Sequence, residues 1–170
     1  MRSAAAIAAA IAAALAAALA LAASAAAAPP GAGVLVPGRS LGGIELGATK
    51  AKVERRWGRA YGVCRGCAAE TWYFNYFAFQ PRGAGVELRK GRVAAVFTLY
   101  QPAGWRTTRG VALGDPAARV TSVYGALRRR ECAGYAVVVL PGRGATTAFY
   151  VLEDRVWGFA LLRSDVPVCR

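Results

Sequence analysis

Two stretches of the chain share one spacing of apolar positions. Val53 and Trp57 lie four residues apart, and so do Val120 and Tyr124, so each pair falls on one face of a short helix. Gly58 and Gly125 follow directly, where a left-handed residue ends a helix. Asp115 is placed to cap the second helix and Pro116 to begin it; Thr49 serves as the cap of the first, one residue out of register. After each helix the apolar period shortens to that of strands. The pattern predicts strands over Thr71–Phe79, Gly85–Leu88 and Val93–Tyr100, then over Tyr135–Leu140, Thr146–Leu152 and Val156–Leu162. Turns are expected at Pro81–Gly83, Lys90-Gly91, Pro141–Gly144 and Glu153-Asp154. A fourth short strand in each set also fits the spacing.

The two stretches are versions of one unit. Gly43-Ile44-Glu45-Leu46-Gly47 matches Gly110-Val111-Ala112-Leu113-Gly114, Trp57-Gly58 matches Tyr124-Gly125, and Arg92-Val93 matches Arg155-Val156. The expected fold is α+β: two tandem helix-plus-antiparallel-meander repeats, over 41–101 and 102–170, forming one continuous sheet with helices on one face. Joining them edge to edge hides one exposed strand edge of each. Residues 1–28 read as a signal peptide and 29–40 as a flexible mature N-terminus.

A Gly-x-x-Leu-Gly turn, a short helix closed by aromatic-Gly, and a meander whose last strand opens on Arg-Val, repeated in tandem, resemble a known group. They are similar to the two-repeat β-lactamase inhibitory protein fold and to the outer-membrane lipoprotein assembly factors of the SmpA/OmlA type. The resemblance covers about residues 40–163. It implies an open sheet face available to a partner and a non-enzymatic role in the cell envelope or outside the cell. The chain departs from the pattern in two ways. The assembly factors are usually single-repeat lipoproteins, and no lipid-attachment cysteine stands near the start of this chain. No β-lactamase-binding residue of the inhibitor falls on a matching motif.

The beginning of the chain sets the compartment. After Arg2, residues from Ala4 to Ala23 are only Ala, Ile and Leu, followed by small residues and Pro29-Pro30. This is the form of a secretory signal peptide, with cleavage near Ala26–Ala28. An even number of cysteines in an exported chain reads as disulfides, and Cys64, Cys67, Cys132 and Cys169 allow three pairings. Cys64–Cys67 with Cys132–Cys169 is favoured over pairings of Cys64 or Cys67 across the repeats, although the Asp165–Cys169 tail must then turn back along the sheet or Cys132 must reach down from the helix–strand loop. A thiol redox motif at Cys64-Arg-Gly-Cys67 would normally open a helix, and here a strand follows. A zinc site uses close pairs, and Cys132 and Cys169 are far apart in sequence. No cofactor is expected.

Charge and composition narrow the chemistry. The 170 residues carry 22 Lys and Arg against 9 Asp and Glu, a net charge of +13, and no histidine. Serine or cysteine catalysis that relies on histidine is excluded, as are imidazole metal ligands. The unusual stretch is aromatic: alternation puts Trp72, Phe74 and Tyr76 on one face of a strand and Tyr73, Phe77 and Phe79 on the other. One set must pack beneath a helix; the other either marks a binding surface or is covered by the N-terminal tail or a loop. Arg128-Arg129-Arg130 is the densest basic cluster. Its simplest reading is a solvated loop; its functional reading is attachment to an anionic surface. The expected function is a secreted, non-enzymatic protein-binding module of the inhibitor or envelope-assembly kind, acting through the open sheet face. The alternative is a basic envelope-associated protein that binds anionic wall polymers or lipid headgroups. Export argues against a nucleic-acid partner.

Overall fold

A computed structural model describes residues 30–77, 80–99 and 104–169 of the chain. Residues 1–29, which include the expected signal peptide, lie outside them, as does Phe79. Strands take 51% of the described residues and helices 12%. The strands form an eight-stranded sheet and a four-stranded sheet. This overturns the α+β expectation of two helix-plus-meander repeats building one continuous sheet. The described residues are mostly β, with two sheets and two short helices.

The small sheet combines β1 (Gly33–Val36), β2 (Ser40–Leu41), β3 (Ile44–Glu45) and β8 (Trp105–Thr107), in the order β3-β2-β1-β8. β1 and β8 pair in parallel from opposite halves of the chain, with Leu35 opposite Thr107. The N-terminal lead-in read as flexible therefore holds a strand, with Leu35 fully buried. Strands of two to four residues carry too little alternation to be seen in sequence.

The large sheet runs β4-β5-β6-β7-β12-β11-β10-β9. Its members are β4 (Gly62–Val63), β5 (Glu70–Phe77), β6 (Gln80–Arg89), β7 (Arg92–Leu99), β9 (Arg128–Cys132), β10 (Tyr135–Pro141), β11 (Ala145–Leu152) and β12 (Arg155–Arg163). β7 and β12 meet antiparallel at the centre, Phe97 opposite Ala160. Two readings of the sequence change. Pro81–Gly83, expected as a turn, lies inside β6. The Arg128–Arg130 run, expected as a loop, is an edge strand.

The helices are α1 (Lys50–Trp57) and α2 (Ala117–Tyr124). The Thr49 hydroxyl caps α1, accepting from Lys52 N at 3.2 Å. The second helix is built differently from expectation. Pro116 is itself the N-cap and makes no side-chain cap bond. The Asp115 carboxylate instead accepts from Ala112 N at 2.9 Å, tightening the preceding turn.

The matched motifs turn out to be one device used twice. Gly47 N donates to Val93 O at 2.7 Å, and Gly114 N donates to Val156 O at 2.7 Å. Val93 N and Val156 N donate back to Ala48 O and Asp115 O. Arg92 and Arg155 then donate to the carbonyls of Gly47 and Gly114, at 3.2 and 2.8 Å. Both glycines have positive φ (78° and 92°), a conformation that a side chain disfavours. Each Gly turn is thus stitched to the Arg-Val that opens a central strand, which fixes where the following helix starts.

One core holds the layers together. Val53 and Trp57 of α1, Val120 of α2, Leu35, Leu41, Ile44 and Trp105 of the small sheet, and one face of the large sheet all share it. Both helices and the small sheet therefore cover the same side of the large sheet. Among the described residues, the other side carries no helix.

Candidate functional site

Opposed residues of neighbouring strands share a face, so the pairing register says what occupies the helix-free side. One row runs Tyr73, Gly85, Phe97, Ala160, Ala148, Val139, Arg128, from β5 to β9. A second brings together Gly158, Tyr150, Val137 and Arg130. A face open to water would normally be polar. Here it carries a second apolar cluster, with Phe97 and Tyr150 buried and Tyr73, Tyr135, Trp157 and Val139 packed against it half-buried.

Between these side chains lies a pocket of about 640 Å³, open to solvent, within the roughly 300–1,000 Å³ usual for small-molecule sites. At one end, Tyr135, Tyr150 and Trp157 form a mutual cluster with ring centroids 5.7–6.0 Å apart. Phe97 stands edge-on to Tyr73 at 6.2 Å and forms the middle. At the other end are Thr71, Glu87 and Arg89, with Cys67, Ala68, Ala69 and Pro167 as walls.

The polar end is internally balanced. The buried Glu87 carboxylate accepts from Arg89 Nε at 2.8 Å, and Arg89 Nη1 reaches Asp165 at 3.4 Å. Asp165 also accepts from Arg163 at 2.9 Å. Desolvation works against ionisation of Asp165, but the bonds from Arg163 and its own backbone, with the charges of Arg163 and Arg89, hold its carboxyl below the usual range. The aromatic end differs. Burial, with a smaller contribution from Tyr135, pushes the Tyr150 hydroxyl far above its ordinary titration range, so it remains a donor. That hydroxyl has no hydrogen-bond partner among the described residues.

Glycine makes room for the rings. A Cβ at Gly85 would stand 2.7 Å from the Phe97 ring and 3.1 Å from Trp72 O. Gly85→Ala is expected to cost about 1–3 kcal/mol in denaturant unfolding, because Phe97 must leave its place over the strand. An unchanged midpoint would show that the ring is free to shift.

Both disulfides stand at the walls. Cys64 pairs with Cys67 and Cys132 with Cys169, with Cα atoms 5.8 and 5.5 Å apart. The first closes the loop that contributes Cys67, Ala68 and Ala69. The second draws the C-terminal tail across the helix-free face, burying Val166 and setting Pro167 in the wall. Of the two routes open to this pairing, the structure takes the first: the tail turns back along the sheet.

The aromatic stretch divides between the two faces. Trp72 and Phe74 are core residues beneath α1; the Trp72 ring stacks on Tyr61 at 4.0 Å and Phe74 meets Trp57 at 5.2 Å. Among the described aromatic side chains of the stretch, Tyr73 alone is placed at the pocket. Tyr76 and Phe77 lie at the end of β5, and their side chains are outside the described part. The basic run also divides. Arg129 faces the helix side and pairs with Glu131 at 2.9 Å, whereas Arg128 and Arg130 are exposed on the pocket side. Tyr135, Tyr150 and Trp157 were not singled out in the sequence. Their signal is that β11 and β12 are apolar on both faces, which an uncovered sheet does not need.

No family model matches the chain, and no curated protein matches it. Two solved structures are similar in fold. An extracellular protein containing an SCP domain, from Bacillus anthracis str. Ames, superposes with a TM-score of 0.50 at 10% identity over 70% of this chain. The chain spans 44% of that protein's length. A DUF4309 family protein (YjgB) from Bacillus subtilis subsp. subtilis str. 168 superposes with a TM-score of 0.51 at 14% identity, over 69% of this chain and 79% of its own. Neither is a β-lactamase inhibitory protein or a lipoprotein assembly factor. The two disulfides and the extracellular neighbour are compatible with a location outside the cytoplasm.

Proposed function

We propose that this protein is a non-enzymatic, secreted binding module that engages its partner through the helix-free face of the large sheet. The apolar pocket receives an apolar group of that partner, and the surrounding strands give the contact surface. The observation that carries this reading is the aromatic lining of a face that no helix of the described residues covers. Rigid aromatic rings give large contact area at low entropic cost. The lining also favours binding over chemistry: its carboxylate is held in an ion pair, and the chain has no histidine to act as a base. Inhibition of another protein and assembly of envelope components are both versions of this role.

A neutral apolar dye, N-phenyl-1-naphthylamine, tests the site without prejudging the partner. Fluorescence titration should show saturable one-to-one binding, and Ala68→Trp, which puts a large ring at the pocket wall, should weaken it at least tenfold. Ala68 is exposed, so the substitution leaves the core untouched. Binding that is unaffected by Ala68→Trp would place the site elsewhere.

A further inference from the structure

Neighbouring strands of the large sheet are all antiparallel, so its connections alternate between two ends. The charges are sorted by end. One end carries the β4–β5 loop with Arg65, the β6–β7 turn with Lys90, the β10–β11 turn with Arg143, and the start of β9 at Arg128. The register ties the two halves together: Arg163 is opposite Ala145 of β11, and its neighbour Leu162 is opposite Ala95, near the start of β7. Arg65, Lys90, Arg128 and Arg143 are exposed, and among the described residues none has a carboxylate within ion-pair distance. The carboxylates at that end are held by other cations: Glu70 by Lys50 at 2.7 Å, Glu87 by Arg89 at 2.8 Å and Asp165 by Arg163 at 2.9 Å. The opposite end carries the β11–β12 turn, whose exposed tip is Glu153-Asp154.

We infer that this rim of strand ends binds a flexible linear polyanion that bears phosphate groups, laid across the sheet from Arg65 to Arg128. The site is additional to the pocket and does not depend on it. Length is the first argument for a polymer. The β4–β5 loop and β9 lie at the two edges of the sheet, so the row crosses six to seven strand spacings of about 4.8 Å, roughly 30 Å in all. A small anion meets one or two of these cations, and only a chain reaches all four. Shape is the second argument. Adjacent strands are rotated by about 20° at each step, so over the row the strand ends swing through roughly 100° or more. A flat anionic bilayer touches part of such a row at once, whereas a flexible chain follows it. Chemistry is the third. Three of the four cations are arginines, whose planar fork matches the oxygens of a phosphate. Solubility alone asks for surface charge but does not sort it by end, and protection of a sheet edge accounts for Arg128 but not for charges at the turn tips.

Fluorescence anisotropy of end-labelled long-chain inorganic polyphosphate, titrated with the disulfide-bonded protein, tests the assignment. Polyphosphate should bind saturably, pyrophosphate should compete only weakly, and affinity should fall at least tenfold as salt rises from about 50 to about 200 mM. Lys90→Glu with Arg143→Glu should weaken polyphosphate at least tenfold. Arg55→Glu with Arg106→Glu changes the net charge equally at exposed positions on α1 and β8, outside the large sheet, and should weaken it less than threefold. Lys90→Gln with Arg143→Gln repeats the comparison with half the charge change and should give an intermediate loss. Lys90 and Arg143 stand at exposed turn tips, so their replacement should leave the unfolding midpoint and N-phenyl-1-naphthylamine binding unchanged. Equal losses from the rim pair and the control pair would assign binding to net charge alone and overturn the rim. Absence of polyphosphate binding overturns it as well. So does tighter binding, per accessible phosphate, to phosphatidylglycerol vesicles than to polyphosphate, which would make the occupant a membrane.

Discussion

Replacing Cys132 and Cys169 together by serine is expected to lower the free energy of unfolding by about 4 kcal/mol, with the Cys64–Cys67 bridge intact. The bridge closes a loop of sequence separation 37, and the loop-closure model gives roughly that value for such a length. The same model gives less than half as much for Cys64–Cys67, at a separation of 3. The longer bridge also holds Val166 in the apolar cluster of the helix-free face and Pro167 in the pocket wall. Its loss should therefore lower stability and weaken pocket binding together, whereas Cys64→Ser with Cys67→Ser should act more on binding than on stability. Denaturant unfolding of the two double variants, alongside dye titration, separates these effects. Equal stability losses from the two would show that loop length does not govern them.

Trp57→Ala should cost about 3–5 kcal/mol, the range for removing a large buried aromatic side chain. Trp57 is 1% exposed and joins three elements. It sits at the end of α1, meets Phe74 of the large sheet edge-on at 5.2 Å, and meets Trp105 of the small sheet edge-on at 6.4 Å. Its Nε1 donates to Gly42 O at 3.0 Å, which ties the β2–β3 turn to the helix. Trp57→Phe keeps most of the packing and loses that bond, for a smaller loss of about 1–2 kcal/mol. Tyr124, the matched position on α2, is only half-buried, and its ring meets Phe149 at 5.4 Å. Tyr124→Ala should therefore cost clearly less than Trp57→Ala. Comparable losses would contradict the view that the first of these positions is the keystone between the two sheets.

The contrast between Trp57 and Tyr124 shows what a sequence conveys and what it does not. Both residues announced themselves by their spacing from Val53 and Val120 and by the glycine that follows. Their different depths depend on the small sheet, which packs over Trp57 through Trp105. That sheet was invisible because β2 and β3 are two residues each and β1 pairs with β8 across most of the first half of the chain. No local period records such a pairing, so the helix signals stand out in the sequence and its pattern points to α+β. The long strands were legible, since alternation over eight residues is hard to miss. The Gly-turn and Arg-Val motifs were visible as repeated letters, but the hydrogen bonds that explain them cross from one element to another.

The site was legible in part for a similar reason. Thr71–Phe79 stood out because its aromatics are consecutive, yet of its described aromatic side chains Tyr73 alone is placed at the pocket, beside Thr71. Tyr135, Tyr150 and Trp157 come from three separate strands and meet only through the register of β10, β11 and β12. Likewise Arg128, Arg129 and Arg130 looked like one cluster, and strand alternation sends Arg129 to the opposite face, where Glu131 neutralises it.

The central claim is that the helix-free face of the large sheet is the binding face. Aromatic and methyl NMR spectra of the protein, titrated with neutral decyl maltoside below its micellar concentration, test it most directly. The account predicts saturable shifts at Tyr73, Phe97, Tyr135, Tyr150 and Trp157, with Val53, Val120 and Leu41 unmoved on the far side of the sheet. Shifts concentrated around α1, α2 and the small sheet, with the five aromatic residues unmoved, would contradict it.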